Sequence, residues 1–91
     1  MSKIIRKKVY AEHYKNILSG RKTFEVRLND WACEPGDTLI LQEITEGTRQ
    51  PTGRELTRTV GTITKTQDLD YWTAEEIAEH GYQVISLLDT E

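Results

Sequence analysis

The chain has 91 residues, of which 30% are charged and 36% are hydrophobic, and its net charge is −3. This length predicts one domain, residues 1–91, with a modest core. No apolar run approaches the roughly 20 residues of a membrane-spanning helix, and Cys33 has no second cysteine with which to form a disulfide. Neither Cys33 nor the two histidines have zinc-site spacing. We therefore expect a cytoplasmic protein with no membrane association, metal or cofactor.

The charge is unevenly distributed along the chain. Residues 1–27 contain eight of the twelve Lys and Arg residues but two of the fifteen Asp and Glu residues. The first third is therefore basic, and the remainder is acidic. This asymmetry predicts a surface with one face suited to an anionic partner, although such charges also simply hydrate a surface.

The first third predicts a strand, a helix and a second strand. Residues 3–9 are rich in β-branched side chains, as in a strand. Residues 11–19 carry one apolar stripe, which predicts a helix that ends at Gly20. Apolar and polar side chains then alternate over residues 23–28, which predicts a strand.

The middle of the chain predicts a turn followed by two strands. Proline and glycine at the centre of residues 34–37 fit a type II turn. Residues 38–44 form a predicted strand, and residues 45–53 a loop. The threonine-rich residues 55–66 predict a further strand, in which Gly61 indicates a bulge or a bend.

The last third predicts a short helix and a final strand. Residues 67–72 form a loop. Thr73 and Glu76 have the spacing of a capping box, so a helix is expected over residues 74–80, ending at Gly81. Residues 82–88 complete the pattern as a strand.

Four or five strands and two short helices predict an α+β fold. Strands that mostly follow one another without helical crossovers predict a mainly antiparallel sheet. In so small a chain, a strongly curled sheet or barrel best hides the strand edges. We therefore expect a small, mainly antiparallel, strongly curled β-barrel with two short helices.

The most distinctive stretch is the charged run that follows the first predicted helix. Arg21, Lys22 and Arg27 lie close to the carboxyl end of that helix, where cations are favoured whatever the function. Glu25 and Arg27 share a predicted strand face, which allows an ion pair between them worth about 0–1 kcal/mol if exposed. The residues alone leave both a binding site and a solvated surface open.

This stretch also resembles a known family. Residues 17–27, Asn29-Asp30 and residues 35–43 are similar in order and spacing to the ASCH superfamily, and more narrowly to small bacterial and phage DUF3850 domains. Residues 52–54 and 81–87 extend the likeness over nearly the whole chain. Two departures are Trp31, where the group usually has arginine, and an inserted-looking segment over residues 68–79.

The resemblance implies a PUA-like β-barrel and a cleft that binds RNA or a nucleotide beside a Gly-x-Lys-x-x-Glu-x-Arg motif. On this resemblance, Gly20 is expected to permit the turn and Lys22 to meet a phosphate as a point charge. Arg27 is expected to bind a phosphate or base edge through two hydrogen bonds, and Glu25 to accept hydrogen bonds from an exocyclic amine. On an ideal strand, Lys22 points away from Glu25 and Arg27, so the motif converges only if Lys22 lies in the preceding turn.

Other candidates for this binding site come from the same stretch and from the loop before the second helix. Arg21 adds a cation, and Asn29 has the groups to read a base edge. Bases can stack on aromatic side chains. For each aromatic candidate, the alternative is ordinary packing in the core or at its rim. The aromatic candidates are Trp31, Tyr71 and Trp72.

The alternative function is enzymatic. A related group of small ASCH proteins resembles amidohydrolases that act on N4-acylated cytidine-type nucleosides. Lys22 matches their lysine, but Glu25 occupies the position of their catalytic threonine. A carboxylate can serve as a general base but does not replace a hydroxyl nucleophile. The resemblance therefore favours binding, and Lys22 and Glu25 are the catalytic candidates if the protein is an enzyme. A protein-interaction role is a third possibility.

Overall fold

The structure is a computed structural model that describes residues 2–90. Its elements, in chain order, are β1 (Ile4–Tyr10), α1 (Ala11–Leu18), β2 (Thr38–Ile44), β3 (Pro51–Thr59), a 3₁₀ turn (Thr66–Asp68) and α2 (Ala74–His80). The α+β composition and the two short helices agree with the sequence. Within these described residues, neither helix is long or apolar enough to cross a bilayer.

The three strands form one sheet in the order β1-β2-β3. β1 pairs with β2 in parallel, from Ile4 opposite Thr38 to Tyr10 opposite Ile44. β2 pairs with β3 in antiparallel orientation. Parallel neighbours need a crossover connection, and here α1 begins it directly after β1. The sheet is therefore mixed, with one parallel and one antiparallel pairing.

The prediction of a mainly antiparallel, strongly curled PUA-like β-barrel is wrong. In the described chain, β1 and β3 are the edges of an open sheet and do not pair with each other. Residues 23–28 and 82–88, which were expected to be strands, have no regular strand structure. With neither segment in the hydrogen-bonded ladder, three strands are too few to close a barrel.

The core lies between α1 and one face of the sheet. Tyr14 and Ile17 of α1 pack with apolar side chains from all three strands, namely Val9, Leu41 and Leu56. The Tyr14 hydroxyl donates a hydrogen bond to the Glu55 carbonyl at 3.2 Å, so the buried ring keeps a polar partner. This packing fixes α1 beside the end of β1.

The boundaries of β3 differ from those predicted. β3 starts at Pro51, inside the expected loop, and ends at Thr59 instead of residue 66. Thr59 lies opposite Thr38, the first residue of β2. β3 therefore ends opposite the start of β2. Because β3 ends before Gly61, the expectation of a bulge or bend within the strand at this glycine is wrong. The irregularity of the ladder lies between Gln42 and Ile44.

Two locally determined features are confirmed. The amide of Asp37 donates to the Glu34 carbonyl at 3.0 Å, and Gly36 has a φ of +94°, as the predicted turn requires. The capping box of α2 is also present: the Thr73 side chain accepts from the Glu76 amide at 3.2 Å. In return the Thr73 amide donates to the Glu76 carboxylate at 2.8 Å.

Candidate functional site

A cleft of about 860 Å³ opens beside α1, where β1 and β2 end. Its walls come from the carboxyl ends of both strands, from α1, from residues 21–27 and from the β2–β3 hairpin. Ligands of open sheets bind beyond the carboxyl ends of parallel strands, and this cleft has that position. The lining residues used below are Lys8, Tyr10, His13, Arg21, Lys22, Phe24, Glu25, Arg27 and Arg49.

The charge of the cleft is opposite in sign to the charge of the whole chain. Five of its lining side chains are Lys or Arg, and one is a carboxylate, Glu25. The whole chain carries a net charge of −3. Charges of one sign along a concave, low-dielectric wall focus the field in the cleft and raise the local concentration of oppositely charged ligands. The cleft is therefore suited to an anion.

Gly20 directs the charged segment into the cleft wall. Its φ of +83° is a left-handed conformation that favours glycine. The Gly20 amide donates to the Ile17 carbonyl at 3.1 Å, and the Lys22 amide donates to the Asn16 carbonyl at 2.9 Å. The chain thus turns back against the end of α1. On the other side, the Ser86 hydroxyl donates to the Arg21 carbonyl at 2.9 Å.

Lys22, Glu25 and Arg27 converge on one another. The Nε of Arg27 donates to Oε2 of Glu25 at 2.8 Å, and the Nζ of Lys22 lies 3.8 Å from Oε1. On a regular strand Lys22 would point to the opposite face. The three side chains meet because residues 22–28 form no strand. The predicted convergence therefore comes from irregular backbone and not from strand alternation.

Two further contacts tie this network to the fold. The Nζ of Lys22 lies 2.9 Å from Nδ1 of His13 on α1. The Nη2 of Arg27 donates to the Lys8 carbonyl on β1 at 2.7 Å. The network therefore holds residues 21–28 against both α1 and β1. Both carboxylate oxygens of Glu25 face cations, so a ligand amine would have to compete with Lys22 and Arg27 for them.

The other predicted site residues lie outside the cleft lining. Asn29 is exposed. Trp31 is half-buried, and the Nζ of Lys7 lies 4.0 Å from the centre of its ring. Tyr71 and Trp72 pack edge to face with centroids 5.4 Å apart. The structure therefore brings Arg21, Lys22, Glu25 and Arg27 together but places these four side chains elsewhere.

Several cleft residues were not foreseen in the sequence. Tyr10 and Phe24 are the aromatic side chains of its lining, His13 contacts Lys22, and Arg49 reaches it from the hairpin. The basic first third of the chain pointed in general terms to Lys8. Nothing in the local sequence marked Arg49, because its position depends on the pairing of β2 with β3.

A separate buried charge fixes the base of the hairpin. The Glu43 side chain is 1% exposed and accepts from the Thr52 hydroxyl at 2.6 Å and from Arg54 at 2.7 and 3.0 Å. The Thr52 hydroxyl and the Arg54 guanidinium lower the pKa of Glu43, and the Glu43 carboxylate in turn raises the pKa of Arg54. Glu43 thus stays ionised, and its hydrogen bonds stabilise the base of the hairpin that contains Arg49.

In the described residues, no group of three or more His, Cys, Asp or Glu side chains could hold a metal.

Comparison with known proteins gives this chain a family. A family model described as a domain of unknown function, DUF3850, matches residues 6–87. The chain belongs to the DUF3850 family. A relative from Escherichia phage P2, the uncharacterized 12.9 kDa protein in the GpA 3′ region, is 35% identical over 80 residues. That match covers 88% of this chain and 69% of the phage protein. The match to the DUF3850 model spans every cleft residue named above.

Proposed function

We propose that this DUF3850 protein binds single-stranded RNA or a nucleotide in the cleft beside residues 20–27. The observation that carries the proposal is the concentration of five cationic side chains around one carboxylate in the cleft of an acidic protein. Phosphate groups supply the complementary charge, and Lys and Arg side chains bind them through charge-assisted hydrogen bonds.

The contacts divide the cations into two groups. Lys22 and Arg27 are held by Glu25 and by the fold, so they form a fixed, partly neutralised wall. Lys8, Arg21 and Arg49 are exposed, and their side chains form no ion pair with any carboxylate of the described residues. These three are therefore the side chains that reach phosphates first, while Phe24 offers a ring for base stacking.

The motif also supports a finer assignment within this proposal. Gly20, Lys22, Glu25 and Arg27 fit the ASCH pattern, and on this motif, without a closed barrel, we propose that the chain belongs to that superfamily. A lone cysteine and a nucleic-acid ligand are both consistent with a cytoplasmic location. The proposal itself rests on the cleft and its charge.

An NMR titration with octauridylate tests the binding proposal. Amide signals of residues 20–27 and of His13 should shift, and the shifts should weaken steeply with salt, because single-strand binding releases about 0.7 counterions per phosphate contact. Arg21→Ala should weaken binding, whereas Arg58→Ala, which removes an exposed arginine from β3, should not. Shifts confined to Tyr71 and Trp72, or none at all, would refute the proposal.

One observation favours a second candidate, amide hydrolysis. The Lys22 Nζ lies 2.9 Å from Nδ1 of His13 and 3.8 Å from Glu25, so an amine, an imidazole and a carboxylate share one wall. These groups can move protons while water adds to an acyl carbonyl. Incubation with N4-acetylcytidine should then release cytidine and acetate, and Lys22→Ala should abolish the release. An absence of turnover in the wild type rejects this candidate.

A further inference from the structure

Arg49 combines an unusual backbone conformation with a place in the cleft. Of the non-glycine residues that the structure describes, Arg49 is the one with a positive φ, +56°. This left-handed conformation is unfavourable for a residue with a side chain, and it persists only where the surroundings enforce it. Strained residues of this kind cluster at ligand sites, and Arg49 lines the proposed one.

The hairpin tip enforces this conformation through several hydrogen bonds. The Arg49 amide donates to the Thr45 carbonyl at 2.9 Å, and the Thr45 amide donates to the Gln50 carbonyl at 2.9 Å. The Thr45 hydroxyl accepts from the Gln50 amide at 3.1 Å and shares a 2.7 Å hydrogen bond with the Thr48 hydroxyl. Together with the buried Glu43 at the hairpin base, these bonds hold Arg49 in place at the cleft.

Arg49 faces an aromatic ring across this part of the cleft. Its guanidinium carbon lies 5.9 Å from the centre of the Tyr10 ring, which is within the range of a cation–π contact. Tyr10 is half-buried at the end of β1. Among the described residues, Arg49 has no carboxylate partner. A free guanidinium beside a half-buried tyrosine ring is a combination that binds a nucleotide by its phosphate and its base together.

We propose that Tyr10 and Arg49 form a second nucleotide subsite, with a base stacked on Tyr10 and its phosphate bound by Arg49. This inference rests on the proposed function, and it specifies the ligand as an oligonucleotide that spans the hairpin and residues 20–27. The cleft volume of about 860 Å³ lies in the upper part of the roughly 300–1,000 Å³ range of small-ligand pockets. A single nucleoside therefore fills only part of it.

Substitution of Arg49 by glycine separates binding from folding. Arg49→Gly removes the guanidinium and at the same time relieves the positive φ, because glycine adopts that conformation freely. The thermal unfolding midpoint of Arg49→Gly should therefore equal or exceed that of the wild type. Any loss of RNA binding in this variant then reports the missing side chain and not a damaged hairpin.

The binding measurement uses fluorescence anisotropy of labelled octauridylate over a salt series, with uridine monophosphate as the single-nucleotide probe. Arg49→Gly should reduce the slope of log K against log salt by about 0.7, the value for one lost phosphate contact on a single strand. The slope of the control Arg58→Ala should equal that of the wild type.

Tyr10→Leu should weaken RNA binding roughly 5-fold or more, whereas Tyr10→Phe, which keeps the ring, should retain it. Uridine monophosphate should bind more weakly than the octamer, because a single nucleotide cannot contact residues 20–27 and the Tyr10–Arg49 subsite at the same time.

The outcomes distinguish this inference from the proposed function. If the wild type binds RNA, Lys22→Ala weakens binding and Arg49→Gly changes neither affinity nor slope, the proposed function stands and the second subsite is refuted. If the monophosphate binds as tightly as the octamer, the oligonucleotide assignment is refuted as well. If the wild type binds uridine monophosphate but no RNA, the oligonucleotide inference fails and the proposed function stands. If it binds neither, both proposals fail.

Discussion

Asp37 ties the start of β2 to the residue that precedes β1. Its Oδ1 accepts from the Lys3 amide at 3.0 Å, and its Oδ2 accepts from the Glu34 amide at 2.8 Å. The residue is buried. These backbone hydrogen bonds, with Lys3 first, favour the charged carboxylate and lower the pKa of Asp37 below its ordinary value. One side chain therefore joins the proline–glycine turn to the parallel strand pair.

The lowered pKa of Asp37 predicts a loss of stability in acid. Because the folded pKa lies below the unfolded one, the carboxylate stabilises the fold above the unfolded pKa of about 3.9, and this contribution disappears as the pH falls through the folded pKa. The urea midpoint of the wild type should therefore drop between about pH 5 and pH 3. Asp37→Asn should lower the midpoint at neutral pH and make the drop shallower.

Asp70→Asn serves as the matched control, because Asp70 is exposed in the loop before α2. Its pH profile should follow that of the wild type. A residual slope is expected in Asp37→Asn, since Glu43 and Glu76 also have lowered pKa values. A profile of Asp37→Asn as steep as that of the wild type would contradict the role given to these hydrogen bonds.

The elements differ in how far the sequence determines them. α2 is predicted to the residue, because the Thr73–Glu76 capping box and the glycine after the helix act through near neighbours in the chain. β2 is also predicted with its observed bounds, because Leu39, Ile40 and Leu41 form a short apolar run that suits a central strand.

The failures concern elements that need a distant partner. Residues 23–28 and 82–88 have strand-like composition, yet neither finds a place in the sheet. Strand propensity describes how well a side chain fits a pleated, partly buried surface, so it gives no information on which strands pair. The parallel pairing of β1 with β2 was missed for the same reason.

The cleft residues also differ in how far the sequence predicts them. Arg21, Lys22, Glu25 and Arg27 lie close together in the sequence, whereas His13 and Arg49 join them only through the fold.

The capping box predicts a local effect on α2. Thr73→Ala removes the hydroxyl that accepts from the Glu76 amide, and loss of such a cap costs a helix about 0.5–2 kcal/mol. Since α2 has no buried residue, the change should open this helix without unfolding the sheet. Hydrogen exchange should therefore quicken several-fold at the amides of Ile77 and Gly81, which bond back into α2, while Leu41 in β2 exchanges as before.

Thr64→Ala is the control for this measurement, because Thr64 is exposed in the irregular segment after β3. It should leave exchange in α2 unchanged. Quickened exchange at Leu41 in Thr73→Ala would instead show that α2 and the sheet open together.

At the scale of the whole fold, the buried apolar side chains of the described residues belong to the first two thirds of the chain. The core cluster draws on β1, α1, β2 and β3, and neither the 3₁₀ turn nor α2 has a buried residue. Residues 82–88 leave large apolar side chains exposed, among them Val84, Ile85 and Leu87. Since buried apolar area is the main source of folding free energy, the region around β2 should determine global stability.

A pair of leucine substitutions tests this division. Leu41 is 1% exposed at the centre of the sheet, and Leu87 is 82% exposed. Leu41→Ala removes buried methyl groups and leaves a cavity, so it should lower the free energy of unfolding by about 2–5 kcal/mol. The chemically identical change Leu87→Ala should alter it by less than about 0.5 kcal/mol, as surface substitutions do. Urea unfolding followed by circular dichroism measures both, provided that the slopes with urea agree. A large loss in Leu87→Ala would show that residues 82–88 pack in solution against a surface that the described structure leaves open.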